Sequence, residues 1–421
     1  MPRFTSLPDW LAWQEGLHPK EIDLGLERVA DVAQRLQLRA LQPVVVTVAG
    51  TNGKGSSIAM LEAILRQAGY RVGAYTSPHL LRYNERICID GEAVDNESLC
   101  AAFAAIDEVR GDTSLSYFEF GTLAALWLFR QAAPDIVLLE VGLGGRLDAV
   151  NIVDADVALV TAVDIDHSEW LGNDRESIGR EKAGIFRRAR PAVCADPDPP
   201  ASLREVAAEQ GAEWHALGEQ FRIVRRADSW QWRGPQTHLE DLPMPALPGE
   251  HQLNNAAGVL MVIECLRHQL PVNAAAIRTG LAGAVLPGRC QLIPGPVELL
   301  LDVSHNPHGA EALAGLLETR PCKGQTHLVI GMLADKDVEA TLAALAPVVD
   351  HWYLAGLELP RGLGADALRQ QAAKLPEVAD APCFVDVATA MKQAFANAVE
   401  GDRVVVCGSF HTVADAMACR V

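Results

Sequence analysis

The chain has 421 residues, of which 49% are hydrophobic and 21% charged, a balance that supplies ample core for a globular protein and makes two domains the default expectation. Against 36 Lys and Arg stand 54 Asp and Glu, a formal charge of −18, and that field repels nucleic acid and anionic membranes. Any phosphate-bearing ligand must therefore be gripped locally, by backbone N–H groups, a metal and a few placed cations.

The first twenty residues carry Asp9, Glu15 and Lys20 where a signal peptide needs an unbroken apolar stretch, and no run reaches the roughly 18 apolar residues of a membrane span. Nine cysteines, an odd number without a CxxC pair, suggest neither a disulfide framework nor a zinc site. A cytoplasmic location is expected, and the sequon at Asn96 reads as chance.

Strand-length apolar runs alternate with stretches of helical period, which predicts parallel α/β architecture. Strands are expected near 43–49, 71–75, 135–141, 156–163, 297–302, 325–330, 350–354 and 402–407. Between the first two, Ile58, Leu61, Ile64 and Leu65 share one face of a helix over 54–68, and Gly69 supplies its stop. Residues 187–250, with the turn-rich Asp196–Pro200 and three tryptophans, read as an insertion or small subdomain. Helices follow at 252–268 and 273–284, and the proline- and glycine-rich LPGRCQLIPGP (286–296) marks the change of unit. The expected division is 1–288 and 289–421.

Chemistry collects at predicted strand ends. The strand VVVTVA runs into Gly50, Thr51, Asn52, Gly53, Lys54, Gly55 and Ser56 at the opening of a helix, the context of a phosphate cradle. The match to GxxxxGK[ST] is imperfect, since Gly55 follows the lysine and the serine comes one place late. In an open parallel sheet ligands sit beyond the carboxyl ends of the strands. Ser77, Glu140 and His167 all fall there, and beside a triphosphate they form a candidate magnesium site, although imidazole is an unusual ligand for so hard a cation. Taken singly, Glu140 also reads as a buried ion-pair partner and His167 as a loop histidine.

Gly142–Gly145 does not continue into a GxGxxG dinucleotide motif, because Leu147 stands where the last glycine is needed. By spacing alone, Lys182 reads as a solvated helix lysine. In the second half Asp302 ends a strand, a usual place to grip ribose hydroxyls, while Asn306 before Pro307 reads as a helix cap.

Taken together, DLGLERV (23–29), VAGTNGKGS (48–56), TSPHL (76–80), YFEFGTLAALWLF (117–129), EVGLGGRLDAVN (140–151), DHSEWLG (166–172), REKAGIF (180–186), LPGR (286–289), SHNPH (304–308) and CGSFHTVA (407–414) resemble the bacterial dihydrofolate synthase/folylpolyglutamate synthase family of the Mur ligase superfamily. The likeness spans essentially the whole chain. It implies a P-loop ATPase-like parallel-sheet domain followed by a smaller Rossmann-like α/β domain. The implied activity is an ATP-dependent amide ligase: the γ-phosphate passes to a carboxylate, and the amine of L-glutamate displaces it.

By the same resemblance, Thr51 to Ser56 bind ATP together with Asn255, Arg289 and Asp302. Lys54, Lys182 and His305 are catalytic. Ser77, Glu140 and His167 ligate magnesium, and Lys182, carbamylated, helps to hold a second ion. The pterin substrate falls to Asp23, Leu24, Gly25 and Leu26, to Ser116, Tyr117, Phe118 and Glu119, and to Leu147, Asp148 and Ala149. The implied substrates are dihydropteroate, reduced folates and L-glutamate, acted on by a monomer without nucleic-acid or membrane partners. Two positions depart from the family pattern: Val150 removes a hydroxyl near the substrate, and Val303-Ser304 replaces Gly-Ala, a change expected to alter packing only. A P-loop switch protein, a folylpolyglutamate synthase without dihydropteroate activity, and a ligase acting on a UDP-sugar remain open alternatives.

Overall fold

The computed structural model describes residues 2–20 and 22–419. The chain divides into two compact units, one running to Ala246 and resuming over Leu253–Val285, the other comprising Leu247–Gln252 and the chain from Leu286 onward.

The first unit is built on an eight-stranded sheet of β1 (Val44–Ala49), β2 (Val72–Tyr75), β3 (Ile87–Ile89), β4 (Glu92–Ala93), β5 (Ile136–Glu140), β6 (Val157–Val160), β7 (Pro191–Cys194) and β8 (Glu213–Ala216), in spatial order β4-β3-β2-β5-β1-β6-β7-β8. All neighbours are parallel except β3 and β4, which form an antiparallel edge. β1 sits between β5 and β6, with Val48 opposite Glu140 and Ala49 opposite Val160. Helices cover both faces of such a sheet, so its strands read as continuous apolar runs rather than alternating ones. Val46, Val48, Leu138, Leu139, Leu159 and Val160 are accordingly fully buried, each worth about 1.5–3 kcal/mol of transfer from water. Because β1, β2, β5 and β6 run the same way, the loops that follow them share one edge of the sheet.

Residues 187–250 are not one insertion. β7 and β8 extend the main sheet, and only β9 (Arg222–Arg225), β10 (Ser229–Arg233) and β11 (His238–Pro243) form a separate antiparallel sheet. Two of the tryptophans anchor it: Trp230 donates its indole N–H to Pro243 O (2.8 Å) and Trp232 to Ala257 O (3.1 Å). The second of these bonds, with the Glu264 carboxylate accepting from the Gln236 and Thr237 N–H groups, ties the small sheet to the helix His251–Leu266.

The second unit holds β12 (Gln291–Ile293), β13 (Glu298–Leu301), β14 (Thr326–Ile330), β15 (His351–Ala355), β16 (Cys383–Phe384) and β17 (Arg403–Cys407), in order β12-β13-β17-β14-β15-β16, parallel apart from β12. It has its own core, in which Leu313, Leu328, Ile330, Leu342, Leu354 and Val405 are buried. Among the described residues, no helix is long and apolar enough to cross a membrane.

The helix Lys54–Gln67 is seated by a close approach. A Cβ on Gly280, in the helix Ala274–Gly283, would come within 2.5 Å of Ile64 Cα and 2.6 Å of its backbone nitrogen. Backbone cannot yield as a flexible side chain does, and overpacking of this kind costs about 1–3 kcal/mol. Gly280→Ala is expected to lower the denaturant midpoint of the first unit correspondingly, and an unchanged midpoint would show that the two helices separate without cost.

Candidate active site

The loop after β1 closes through left-handed glycines. Gly50 has φ +151° and Gly53, which caps the helix Lys54–Gln67, φ +92°. A side chain is excluded at both: a Cβ on Gly50 would lie 1.8 Å from Thr161 Oγ1, and one on Gly53 2.5 Å from Asn255 Oδ1. Asn255, expected among the nucleotide-binding residues, is thus packed directly on the cradle. Thr161, which sequence reasoning missed, donates its hydroxyl to Asn52 O (2.6 Å) and its backbone N–H to Ala49 O (2.9 Å) and so holds the loop's curvature. Its signal was a hydroxyl in an apolar strand sequence, where a buried polar group needs a partner. Thr51 is fixed as well: its hydroxyl donates to Asp164 O (2.9 Å) and accepts the Asp164 N–H. Lys54 folds back, its Nζ donating to Gly50 O (2.9 Å) and Thr51 O (3.2 Å).

Glu140, at the end of β5, is 4% exposed, and its Oε2 accepts the Ser77 N–H at 3.1 Å. The structure therefore brings together two of the three expected magnesium ligands. His167 follows β6 on a left-handed backbone, φ +52°, at the start of the short helix Ser168–Leu171, beyond the stretch Ala162–Asp164 that binds the cradle. Among the described residues no group of three or more His, Cys, Asp or Glu side chains is gathered to hold an ion.

Lys182 overturns its reading as a solvated helix residue. It ends the helix Arg175–Lys182 and is only 3% exposed, and burial, reinforced by the Lys54 charge, pushes its pKa down to about 7 against the opposing pull of Asp166 and Asp148. The helix is buried because the Gly142–Gly145 loop lets it approach. A Cβ on Gly145 would meet Glu181 O and Lys182 O at 3.0 Å, and one on Gly142 would strike the Phe118 ring at 2.7 Å. Asn151 fastens the same loop, donating to Arg146 O (3.0 Å) and Gly184 O (3.1 Å). Asp148 accepts the Leu143 N–H (2.8 Å) and the Val150 N–H (3.0 Å). Burial pushes its carboxyl up to about 6, with those bonds working the other way. Val150 is fully buried, so apolar packing takes the place of the missing hydroxyl.

The two more distant segments expected to hold the pterin also meet. Arg28, not singled out from the sequence, donates to Asp23 Oδ2 (2.6 Å), Asp23 O (3.1 Å) and Glu119 Oε1 (3.1 Å). Glu119 is buried in the first turn of the helix Tyr117–Ala132, where it accepts the Ser116 N–H at 2.7 Å. Burial opposes ionisation of Asp23, yet Arg28 and Lys20 hold its carboxyl below the usual range.

In the second unit Asp302, 6% exposed, accepts from the Cys290 N–H (2.8 Å) and thiol (3.2 Å) on one oxygen and from the Ser304 N–H (2.9 Å) and hydroxyl on the other. The serine that departs from the family pattern therefore does more than alter packing: it adds a hydrogen bond to the acid. His305 Nδ1 lies 2.8 Å from Val303 O, which makes Nδ1 the protonated nitrogen and Nε2 the basic one. The Phe410 ring lies 5.4 Å from the Arg289 guanidinium and 6.1 Å from the His305 ring. Asn306 caps the helix Pro307–Thr319 by accepting the Gly309 N–H at 2.8 Å, as its place before proline predicts.

Known proteins resemble this chain over almost its whole length. Residues 48–263 match the Mur ligase middle domain, and residues 288–410 match the Mur ligase glutamate ligase domain. The dihydrofolate synthase/folylpolyglutamate synthase of Escherichia coli K12 is 50% identical over 413 residues, covering 98% of this chain and 95% of that protein. The structure of Escherichia coli FolC in complex with DHPP and ADP superposes with a TM-score of 0.94 at 49% identity, covering 98% and 97% of the two chains. A bifunctional folylpolyglutamate synthase/dihydrofolate synthase with Mn, AMPPNP and L-glutamate bound does so with a TM-score of 0.92 at 49% identity, covering 99% and 98%. The chain belongs to the dihydrofolate synthase/folylpolyglutamate synthase family of Mur ligases.

Proposed function

We propose that the chain is an ATP-dependent acid–amino acid ligase that joins L-glutamate to dihydropteroate, forming dihydrofolate, and to reduced folates, forming folylpolyglutamates, through an acyl phosphate. The observation that carries this reading is the full-length likeness to bifunctional relatives combined with the intact cradle: left-handed Gly50 and Gly53, Lys54, and the Ser77–Glu140 pair beside them. ATP and pterin binding are assigned to residues 1–288 and the ligase half to 289–421. Nine free cysteines support a reducing, cytoplasmic location.

Each group has a task that its surroundings suit. Backbone N–H groups from Thr51 to Ser56 at the helix start bind phosphate oxygens, and Lys54 exchanges its carbonyl partners for phosphate. Asn255, Arg289 and Asp302 contribute nucleotide contacts. Ser77, Glu140 and His167 would hold magnesium, which when bound neutralises charge on the phosphates. His305 Nε2 is the atom able to accept a proton from the incoming amine, since Nδ1–H is committed to a carbonyl. Asp23–Leu26, Ser116–Glu119 and Leu147–Ala149 hold the pterin. ADP release measured with dihydropteroate and with tetrahydrofolate, each with and without glutamate, should show glutamate-dependent turnover on both. Lys54→Ala should slow both by roughly 10²–10³-fold, since its charge faces the developing phosphoryl charge. Turnover on tetrahydrofolate alone would establish the monofunctional alternative, and nucleotide binding without turnover the switch protein.

Lys182 is assigned as a carbamate. An ammonium would repel a nearby metal, whereas a neutral amine adds CO2, losing one proton, and becomes an anion. With its pKa lowered to about 7, the amine is protonated below that pH and neutral above it, so uptake of CO2 grows as pH rises through 7. Activity of CO2-depleted enzyme should accordingly recover on adding bicarbonate, and faster at pH 8 than at pH 6. Lys182→Ala should lose at least about tenfold in rate and regain part of it with short carboxylates in the buffer. A fully active alanine variant would overturn the assignment.

The two acceptors differ in where the reacting carboxylate lies, on the benzoate of dihydropteroate but one glutamate further out in a folate. One fixed pterin position cannot bring both within the roughly 3–3.5 Å of attack geometry. Asp23→Ala is therefore expected to depress dihydrofolate formation far more than glutamate addition to tetrahydrofolate, with products identified by mass. Equal losses would mean a single shared pocket.

A further inference from the structure

Residues 22–25 have neither helix nor strand geometry, and among the described residues no ladder of backbone hydrogen bonds holds them in place. Two side-chain straps do. Arg28, near the start of the helix Glu27–Arg35, reaches forward to Glu119 and back to both the side chain and the carbonyl of Asp23. His18 spans a second gap, its Nε2 3.2 Å from Asp23 Oδ2 and its Nδ1 3.0 Å from Ser114 Oγ. Of the two carboxylates that Arg28 joins, that of Glu119 is almost wholly buried, its side chain 4% exposed. A buried carboxylate deprived of its cation is costly, so the ion pair and the position of the 23–26 segment stand or fall together.

We propose that Arg28 is a positioning residue of the dihydropteroate pocket: its guanidinium fork clasps Asp23–Leu26 onto the N-terminal turn of the helix Tyr117–Ala132 and so sets the pocket's shape. Arg28 does not itself touch the reacting atoms. The fork matters as well as the charge, because three acceptors on two segments are served by one planar group, which a lysine ammonium on its flexible stem cannot reproduce with the same register. The inference rests on the assignment of these two segments to the pterin, and it makes Arg28 a determinant of which acceptor the enzyme favours.

The test compares KM and kcat for dihydropteroate and for tetrahydrofolate in the full chain carrying Arg28→Ala, Arg28→Lys, or Arg28→Ala with Glu119→Gln, together with hydrogen exchange of the 22–26 amides. Arg28→Ala should raise the dihydropteroate KM roughly tenfold or more, the loss expected for hydrogen bonds to a charged group, with a much smaller change for tetrahydrofolate and faster exchange over 22–26. Arg28→Lys should recover only part of that KM. The double variant removes the uncompensated buried charge, so it should regain thermal stability while the dihydropteroate KM stays high. Recovery of KM along with stability would show a merely structural role and overturn the proposal, as would equal rises for both acceptors or unchanged exchange. A wild-type chain that does not turn over dihydropteroate overturns the bifunctional reading, and the clasp's pterin role with it. That failure is told apart from failure of the clasp alone because it appears before any substitution is made.

Discussion

The arrangement of the first unit depends on how tightly the turn after β1 is held against the end of β6. Thr161 donates its hydroxyl to Asn52 O and its backbone N–H to Ala49 O, and no side chain fits between that hydroxyl and Gly50. The turn is thereby closed from one side by the residues that follow a neighbouring strand. The same strand then delivers Asp164 to Thr51 and, three residues later, His167. Parallel strand order sends the loops after β2 and β5 to the same edge, which is why Ser77 and Glu140 meet although 63 residues separate them.

The electrostatics of that edge follow from how little water is left in it. Glu140, Asp148 and Lys182 are each under 5% exposed, so charge there is stabilised by neighbours or suppressed. Asp148 and Lys182 move toward neutrality from opposite directions, the acid up to about 6 and the amine down to about 7. An excess of positive charge from Lys54 and a buried ammonium would hold a metal away, while a neutral amine leaves the carboxylates to attract it. The lowered pKa of Lys182 thus reduces the repulsion that a cation nearby would meet as pH rises through 7.

Strand positions were legible because both faces of the central strands are covered, which forces unbroken apolar runs such as VVVTVA. The cradle was legible because glycines and a lysine follow such a run directly. What could not be read was anything set by a contact between distant segments. Lys182 looks solvated in sequence, since Arg180 and Glu181 beside it are charged, and only the packing of its helix on Gly145 removes it from water. Arg28 looks like an ordinary charge in the first turn of a helix until Glu119, 91 residues away, arrives beside it. The β9–β11 sheet hid behind short, weakly patterned strands whose two tryptophans find partners outside their own hairpin turns.

Glycine carries two different messages in this chain, and separating them removes an ambiguity in the sequence. At 50 and 53 it supplies left-handed backbone for a turn that opens a helix. At 142 and 145, by contrast, the requirement is proximity: a Cβ there would enter the Phe118 ring or the backbone of the helix bearing Lys182. A Gly-rich run after a strand therefore need not cradle a phosphate. Here the second run does a different service, letting a helix and an aromatic ring close over the strand end, so that the carboxylate of Glu140 and the amine of Lys182 lie in a dry environment.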